Sequence, residues 1–151
     1  MFSQRVRNVM EHDHMLIASP ESLVTDAARL LAGSKLGAVM VVQGDQLTGI
    51  FTERDAVSRV LAAGLDAGST ALAQVMTPAP ITVDPEGSFG HALLLMHQHG
   101  MRHVPVVEHG RPVGIVCARD ALDPEMEEFA CEAQRREAFN ESGPVPLAHK
   151  P

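Results

Sequence analysis

The chain has 151 residues, 45% hydrophobic and 21% charged, a composition that suits a folded globular protein and excludes a disordered or collagen-like one. Twelve Lys and Arg against 19 Asp and Glu leave a formal net charge of −7. Bulk attraction to nucleic acid or an anionic membrane is therefore disfavoured, while a local cluster of donors could still hold a small phosphorylated ligand.

Taken in chain order, Met15-Leu16-Ile17-Ala18 reads as a short strand, and Pro20-Glu21 turns into a helix whose apolar residues Val24, Ala27, Ala28 and Leu31 follow a spacing of three and four. A β-branched run, Ala38-Val39-Met40-Val41-Val42, and a returning strand, Leu47 to Phe51, flank the polar turn Gln43-Gly44-Asp45-Gln46, the pattern of a hairpin. That strand runs into Thr52-Glu53-Arg54-Asp55 and a second helix. Leu61 to Thr70 is a Gly/Ala-rich linker, and Thr70 to Met76 reads as a short helix. The series then recurs: strand Ile81-Thr82-Val83, a helix with Phe89, Ala92, Leu93 and Met96, strand His103 to Val107, turn Glu108-His109-Gly110-Arg111, strand Pro112 to Val116, and Arg119-Asp120. Beyond Leu122, Asp123 as cap and Pro124 at the first position predict a further helix over 123–140, and the Pro-rich 141–151 reads as a tail.

The recurrence is written in the residues themselves. At an offset of 65, Pro20, Glu21, Ala27, Leu30, Val39, Val41, Val42, Gly49, Ile50, Arg54 and Asp55 meet identical residues. Val9-Met10 matches Val75-Met76 at an offset of 66, one residue being inserted in the first copy. Each copy, 5–66 and 70–122, reads as β-α-β-β-α and is too small to hide both faces of its sheet alone. The expected fold is therefore α/β in the α+β sense: two pseudo-symmetric repeats packed sheet to sheet, with a C-terminal helix added.

The most specific local feature is Gly49-Ile50-Phe51-Thr52-Glu53-Arg54-Asp55, echoed as Gly114-Ile115-Val116-Cys117-Ala118-Arg119-Asp120. A strand ends in a hydroxyl or thiol, and an Arg and an Asp follow in the first helical turn. A carboxylate has acceptor oxygens for both hydrogens of a ribose diol, and a helix start offers amides to phosphate. Acids also favour helix starts for stability alone, and Arg beside Asp is equally an ion pair, so one copy by itself would say little.

Together with Val75-Met76-Thr77-Pro78 and Met101-Arg102-His103-Val104-Pro105-Val106-Val107, this pattern resembles a tandem pair of CBS domains (cystathionine-β-synthase-type repeats, the Bateman module) over residues 5–122. The resemblance implies clefts between the repeats that take AMP, ADP, ATP, NAD or S-adenosylmethionine as a regulatory ligand, with no obligatory cofactor. It also implies a homodimer and an effector protein that reads the ligand-bound state. Carried over residue by residue, Asp55 and Asp120 hold ribose, with Arg54 and Arg119 beside them in the motif. Thr52 bonds ribose or phosphate, and Arg102 and His103 face phosphate. Adenine lies among Pro80, Ile81, Val104 and Ile17. Cys117 stands where a hydroxyl is usual, and Gly37-Ala38 stand where the second copy has Arg102-His103, so one good cleft and one weak or empty cleft are expected. Which loops share a cleft is left open.

Other function classes are weighed against this one. No nucleophile elbow, Walker loop, G-x-G-x-x-G or H-E-x-x-H occurs, so no enzyme is expected. The histidines have poor spacing for a shared metal, His97 and His99 facing different directions on a helix. Cys117 and Cys131 make neither a disulfide framework nor a zinc site, and the absence of Trp and Tyr leaves five Phe, which weakens the case for a single-strand nucleic-acid reader built on an aromatic platform. MFSQRVRNVMEHDH lacks the apolar core of a secretory leader, and no stretch approaches the roughly 18 apolar residues of a membrane span, so a cytoplasmic location is expected. The alternative function is a ligand-free structural module that mediates dimerisation.

Overall fold

The computed structural model describes residues 2–121, so the expected C-terminal helix at 123–140, the tail at 141–151 and Cys131 lie outside the described residues. The chain divides into two compact units, 1–118 and 119–151. In the first unit, β1 (Ile17–Ala18), α1 (Val24–Ala32), β2 (Ala38–Gln43) and β3 (Gln46–Thr52) are followed by α2 (Glu53–Asp55) and a π-helical stretch, Ala56–Leu61. Then come α3 (Leu72–Val75), β4 (Thr77–Pro78), α4 (Phe89–His99), β5 (His103–Glu108) and β6 (Arg111–Cys117). A short 3-10 turn, Ala118–Ala121, leads into the second unit.

One sheet has the order β1-β2-β3-β4, with β1 parallel to β2 and the remaining pairs antiparallel. The other is the hairpin β5-β6, extended by isolated bridges from Val83 to Val106 and from Glu11 to Ile115. The expected strand Ile81–Val83 is thus reduced to a single bridge, because only Val83 finds a backbone partner, bonding with Pro105 and Val107. Both hairpins slip register at equivalent places, Val41/Val42 and Val106/Val107.

Alternation along the strands gives each sheet two buried faces. Val39, Val41 and Phe51 pack with Val24, Ala27 and Leu31 of α1 and with Leu72 and Val75 of α3. The opposite-facing Ala38 and Ile50 meet Ile115 and Cys117 of β6, which is the sheet-to-sheet contact that the repeat demanded. Of the apolar residues expected on the first helix, Ala28 is exposed, since the buried stripe is carried by Val24, Ala27 and Leu31 alone.

The two-fold symmetry crosses over in the chain. Thr77, near the start of the second repeat, pairs with Ile50 of the first, whereas Glu11, near the start of the first, pairs with Ile115 of the second. Equivalent backbone bonds recur throughout: Leu72 N donates to the Ser22 carbonyl and Val6 N to that of Gly87, while Ala73 N donates to Pro20 and Arg7 N to Pro85. Each repeat's second hairpin strand is therefore edged by the N-terminal segment of the other repeat.

Candidate functional site

The strand-to-helix turn at Thr52 is built by reciprocal capping. The Asp55 amide donates to Thr52 Oγ1 (3.3 Å), and the Thr52 amide donates to Asp55 Oδ2 (2.9 Å). This capping box satisfies two amides at the helix start and holds the Asp55 side chain in one place. Arg59, four residues on, sets its Nε 3.5 Å from Asp55 Oδ1. A carboxylate offers about four acceptor sites, so one amide and one guanidinium leave room for further donors on both oxygens. Asp55 keeps 13% of its side chain exposed, and that side borders a cleft.

The cleft has a volume of about 480 Å³, within the range of small-molecule sites. Thr52, Glu53, Arg54, Asp55 and Arg59 line it from the first repeat. His99, Gly100, Met101, Arg102, His103 and Pro105 line it from the second, with Thr77, Pro80 and Ile81 from that repeat's N-terminal segment. The question of which loops share a cleft is thereby answered: the acid-bearing turn of the first repeat faces the basic Arg102-His103 of the second. Three arginines against Glu53 and Asp55 leave the lining net positive with its histidines neutral, in a chain of net charge −7.

Gly37 lies where Arg102 falls in the second repeat, and its place in the cleft is tight. A Cβ there would stand 3.1 Å from His103 Cε1 and Nε2, so the imidazole lies directly against the glycine. The Gly37 carbonyl also accepts from the Glu53 amide (3.1 Å), which joins the end of the helix-to-strand loop to the start of α2. On the far wall, Ala79 adopts φ 43°, a left-handed conformation unusual for alanine and further disfavoured before proline, and its amide donates to the Thr48 carbonyl (3.0 Å). This kink sends the chain off the sheet at Pro80 and into the cleft wall.

Of the residues expected to contact ligand, Thr52, Arg54, Asp55, Pro80, Ile81, Arg102 and His103 stand together here. Val104 does not: it is fully buried, because strand alternation turns it to the face opposite its neighbours His103 and Pro105, which line the cleft. Ile17 also does not; it is 46% exposed on β1, paired with Met40. Arg119 and Asp120 fall in the second unit, in the 3-10 turn, where Arg119 is exposed and Asp120 half-buried. Arg59, Thr77, His99 and Pro105 are among the lining residues not expected to contact ligand. Thr77 and Pro105 belonged to the motifs already singled out, but Arg59 and His99 carry no local signal, since only the fold brings them to the cleft. Among the described residues no group of three or more His, Cys, Asp or Glu is placed to hold a metal ion, and no helix is long and apolar enough to cross a membrane.

The family profile of the CBS domain matches residues 6–62 and 72–125. The chain belongs to the CBS-domain family. As a CBS pair it is 36% identical over 108 residues to the CBS domain-containing protein YhcV of Bacillus subtilis, with 72% of this chain and 76% of that protein covered. It is 42% identical over 103 residues to the meiotically up-regulated gene 70 protein of Schizosaccharomyces pombe, covering 68% of this chain but only 14% of that much longer protein. Among solved structures, a CBS domain protein of Pyrobaculum aerophilum complexed with AMP superposes with a TM-score of 0.73 at 23% identity, covering 85% of this chain and 99% of that one. That likeness establishes the shared CBS-pair fold.

Proposed function

We propose that this CBS pair is a regulatory, non-catalytic protein that binds an adenine nucleotide in the cleft between Thr52–Asp55 and Met101–His103 and passes on a conformational change to an effector protein. The observation that carries the reading is the meeting of a capped carboxylate from one repeat with Arg102 and His103 from the other across one cavity. In this reading Asp55 accepts from the ribose diol, with Thr52 Oγ1 bonding ribose or phosphate. Arg54, Arg102 and His103 face phosphate. Pro80 and Ile81 flank the adenine ring, which aliphatic walls can hold in a chain without Trp or Tyr. Asp120 and Arg119 are the corresponding residues of a second, weaker site. The AMP in the Pyrobaculum aerophilum protein supports the choice of adenosine monophosphate as first probe.

A nucleotide that fits one arrangement of the repeats better shifts the population toward it, and that shift is the signal. Titration calorimetry of AMP into the intact chain and into Asp55→Ala and Arg102→Ala tests the reading. Removing a hydrogen-bonding or charged partner of the ligand should weaken binding about tenfold or more in each variant. Undiminished affinity in both, or no binding of AMP, ATP, NAD or S-adenosylmethionine by the unaltered chain, overturns it and leaves a ligand-free dimerisation module.

A further inference from the structure

We infer that Arg59 is a positioning residue that holds the Asp55 carboxylate toward the cleft and ties it to Val75 and Met76 at the start of the second repeat. The inference rests on the nucleotide reading of the cleft and adds to it the route by which occupancy is felt elsewhere. Arg59 makes three polar contacts. Its Nε faces Asp55 Oδ1 at 3.5 Å, and its Nη1 donates to the carbonyls of Val75 (3.3 Å) and Met76 (3.0 Å). Those carbonyls lie at the C-terminal end of α3, where backbone oxygens have no partner within the helix, so a guanidinium there satisfies acceptors that would otherwise turn to water.

The segment so held is a wall of the cleft. Met76 packs against Gly49, Thr77 pairs with Ile50, and Thr77, Pro80 and Ile81 line the cavity. One side chain therefore contacts both the carboxylate proposed to grip ribose and the two residues that lead directly into β4. Arg59 belongs to the π-helical stretch Ala56–Leu61, which begins directly after Asp55 and is closed by Ala62, whose N donates to the Val57 carbonyl (2.8 Å). Such wide turns are uncommon and recur at functional sites. At the 65-residue offset the place of Arg59 is taken by Pro124, which carries no cation, so the sequence supplies this tie in one repeat only. A ribose that competes for Asp55 changes the balance of contacts open to Arg59, and with it the hold on Val75 and Met76.

The experiment uses the intact chain with two variants, Arg59→Gln and Arg59→Lys, and two ligands, AMP and 2′,3′-dideoxy-AMP, which lacks the diol. If Arg59 acts through Asp55, Arg59→Gln should lower the preference for AMP over the dideoxy nucleotide by about tenfold, beyond any loss both share from removing a cation of the lining, and Arg59→Lys should restore part of that preference. Equal weakening of both ligands, or an unchanged preference, overturns the positioning role. Amide exchange without ligand tests the tie itself. Exchange at Met76 and Ala79 should quicken in Arg59→Gln while Ile115, bonded to Glu11 on the other sheet, keeps its rate. Unchanged exchange at Met76 and Ala79 overturns the tie. Failure of the unaltered chain to bind either nucleotide would instead overturn the nucleotide reading, and the exchange measurement would still decide whether Arg59 holds Val75 and Met76.

Discussion

Asp55 does two things at once: it closes a capping box with Thr52 and it borders the cleft. Thr52 shares that dual role, and without ligand Thr52→Ala, which removes the side-chain acceptor for the Asp55 amide, should cost about 1 kcal/mol in a urea melt. Ala79, with φ 43°, is the opposite case. Ala79→Gly relieves a left-handed alanine at the expense of unfolded-chain entropy, and a net gain of about 0.5 kcal/mol in the same measurement is expected. The motif around Arg54-Asp55 was legible because it recurs in both copies at one offset. The role of Arg59 was not, because its partners Val75 and Met76 are backbone carbonyls, which carry no residue signature.

Equivalent elements of the two repeats differ in how they end. α4 is capped by Ser88, whose Oγ accepts from the His91 amide (3.1 Å), and stops at Gly100 with φ 63°. α1 has no side-chain cap and stops at Gly33 without the left-handed turn. The paired glycines of the returning strands show why a repeat keeps them. A Cβ on Gly49 would collide with the Met76 side chain, and one on Gly114 would collide with that of Met10 and stand 3.0 Å from the Glu11 carbonyl as well. A methionine can shift and a paired backbone cannot, so Gly114→Ala should destabilise more than Gly49→Ala, each within about 1–3 kcal/mol by chemical denaturation. Phe51, fully buried between α1, α3 and the sheet, should cost about 3–5 kcal/mol on truncation to alanine, read in the same way.

At the scale of the molecule, the start of the first repeat is bonded to the second one. Glu86 takes ion pairs from Arg5 (2.5 Å) and from Arg7, and Glu11 exchanges backbone bonds with Ile115. The Glu11 carboxylate accepts from the amides of His14 and Asp13, and these bonds, that of His14 foremost, hold it below the ordinary carboxylate range. A depressed folded-state value means that its stabilisation is present above the unfolded-state value and is lost as the pH falls through the folded one. The melting temperature should therefore fall on acidification through the carboxylate range, and Glu11→Gln should flatten that limb. Under the proposed function, AMP at one hundred times its dissociation constant should add about 2.7 kcal/mol to the intact chain, visible as a rise in melting temperature. Val57 (58%) and Leu61 (74%), four residues apart, are exposed. If the homodimer that the family resemblance implies buries them, Leu61→Lys should shift the sedimentation profile toward monomer.

What the sequence determined by itself is the duplicated β-α-β-β-α unit, the need of its two copies to pack sheet to sheet, and the recurring Arg-Asp turn. These rest on local periodicity and on the need of each small sheet to cover its second face, both of which are properties of residue order. The tertiary structure alone decided that Thr52–Asp55 of one repeat faces Arg102-His103 of the other, that Val104 and Ile17 stand outside the cleft, and that Arg59 reaches Val75 and Met76. Those facts follow from how two sheets cross and which strand edges each repeat's N-terminal segment meets, and long-range packing of that kind leaves no period in the chain.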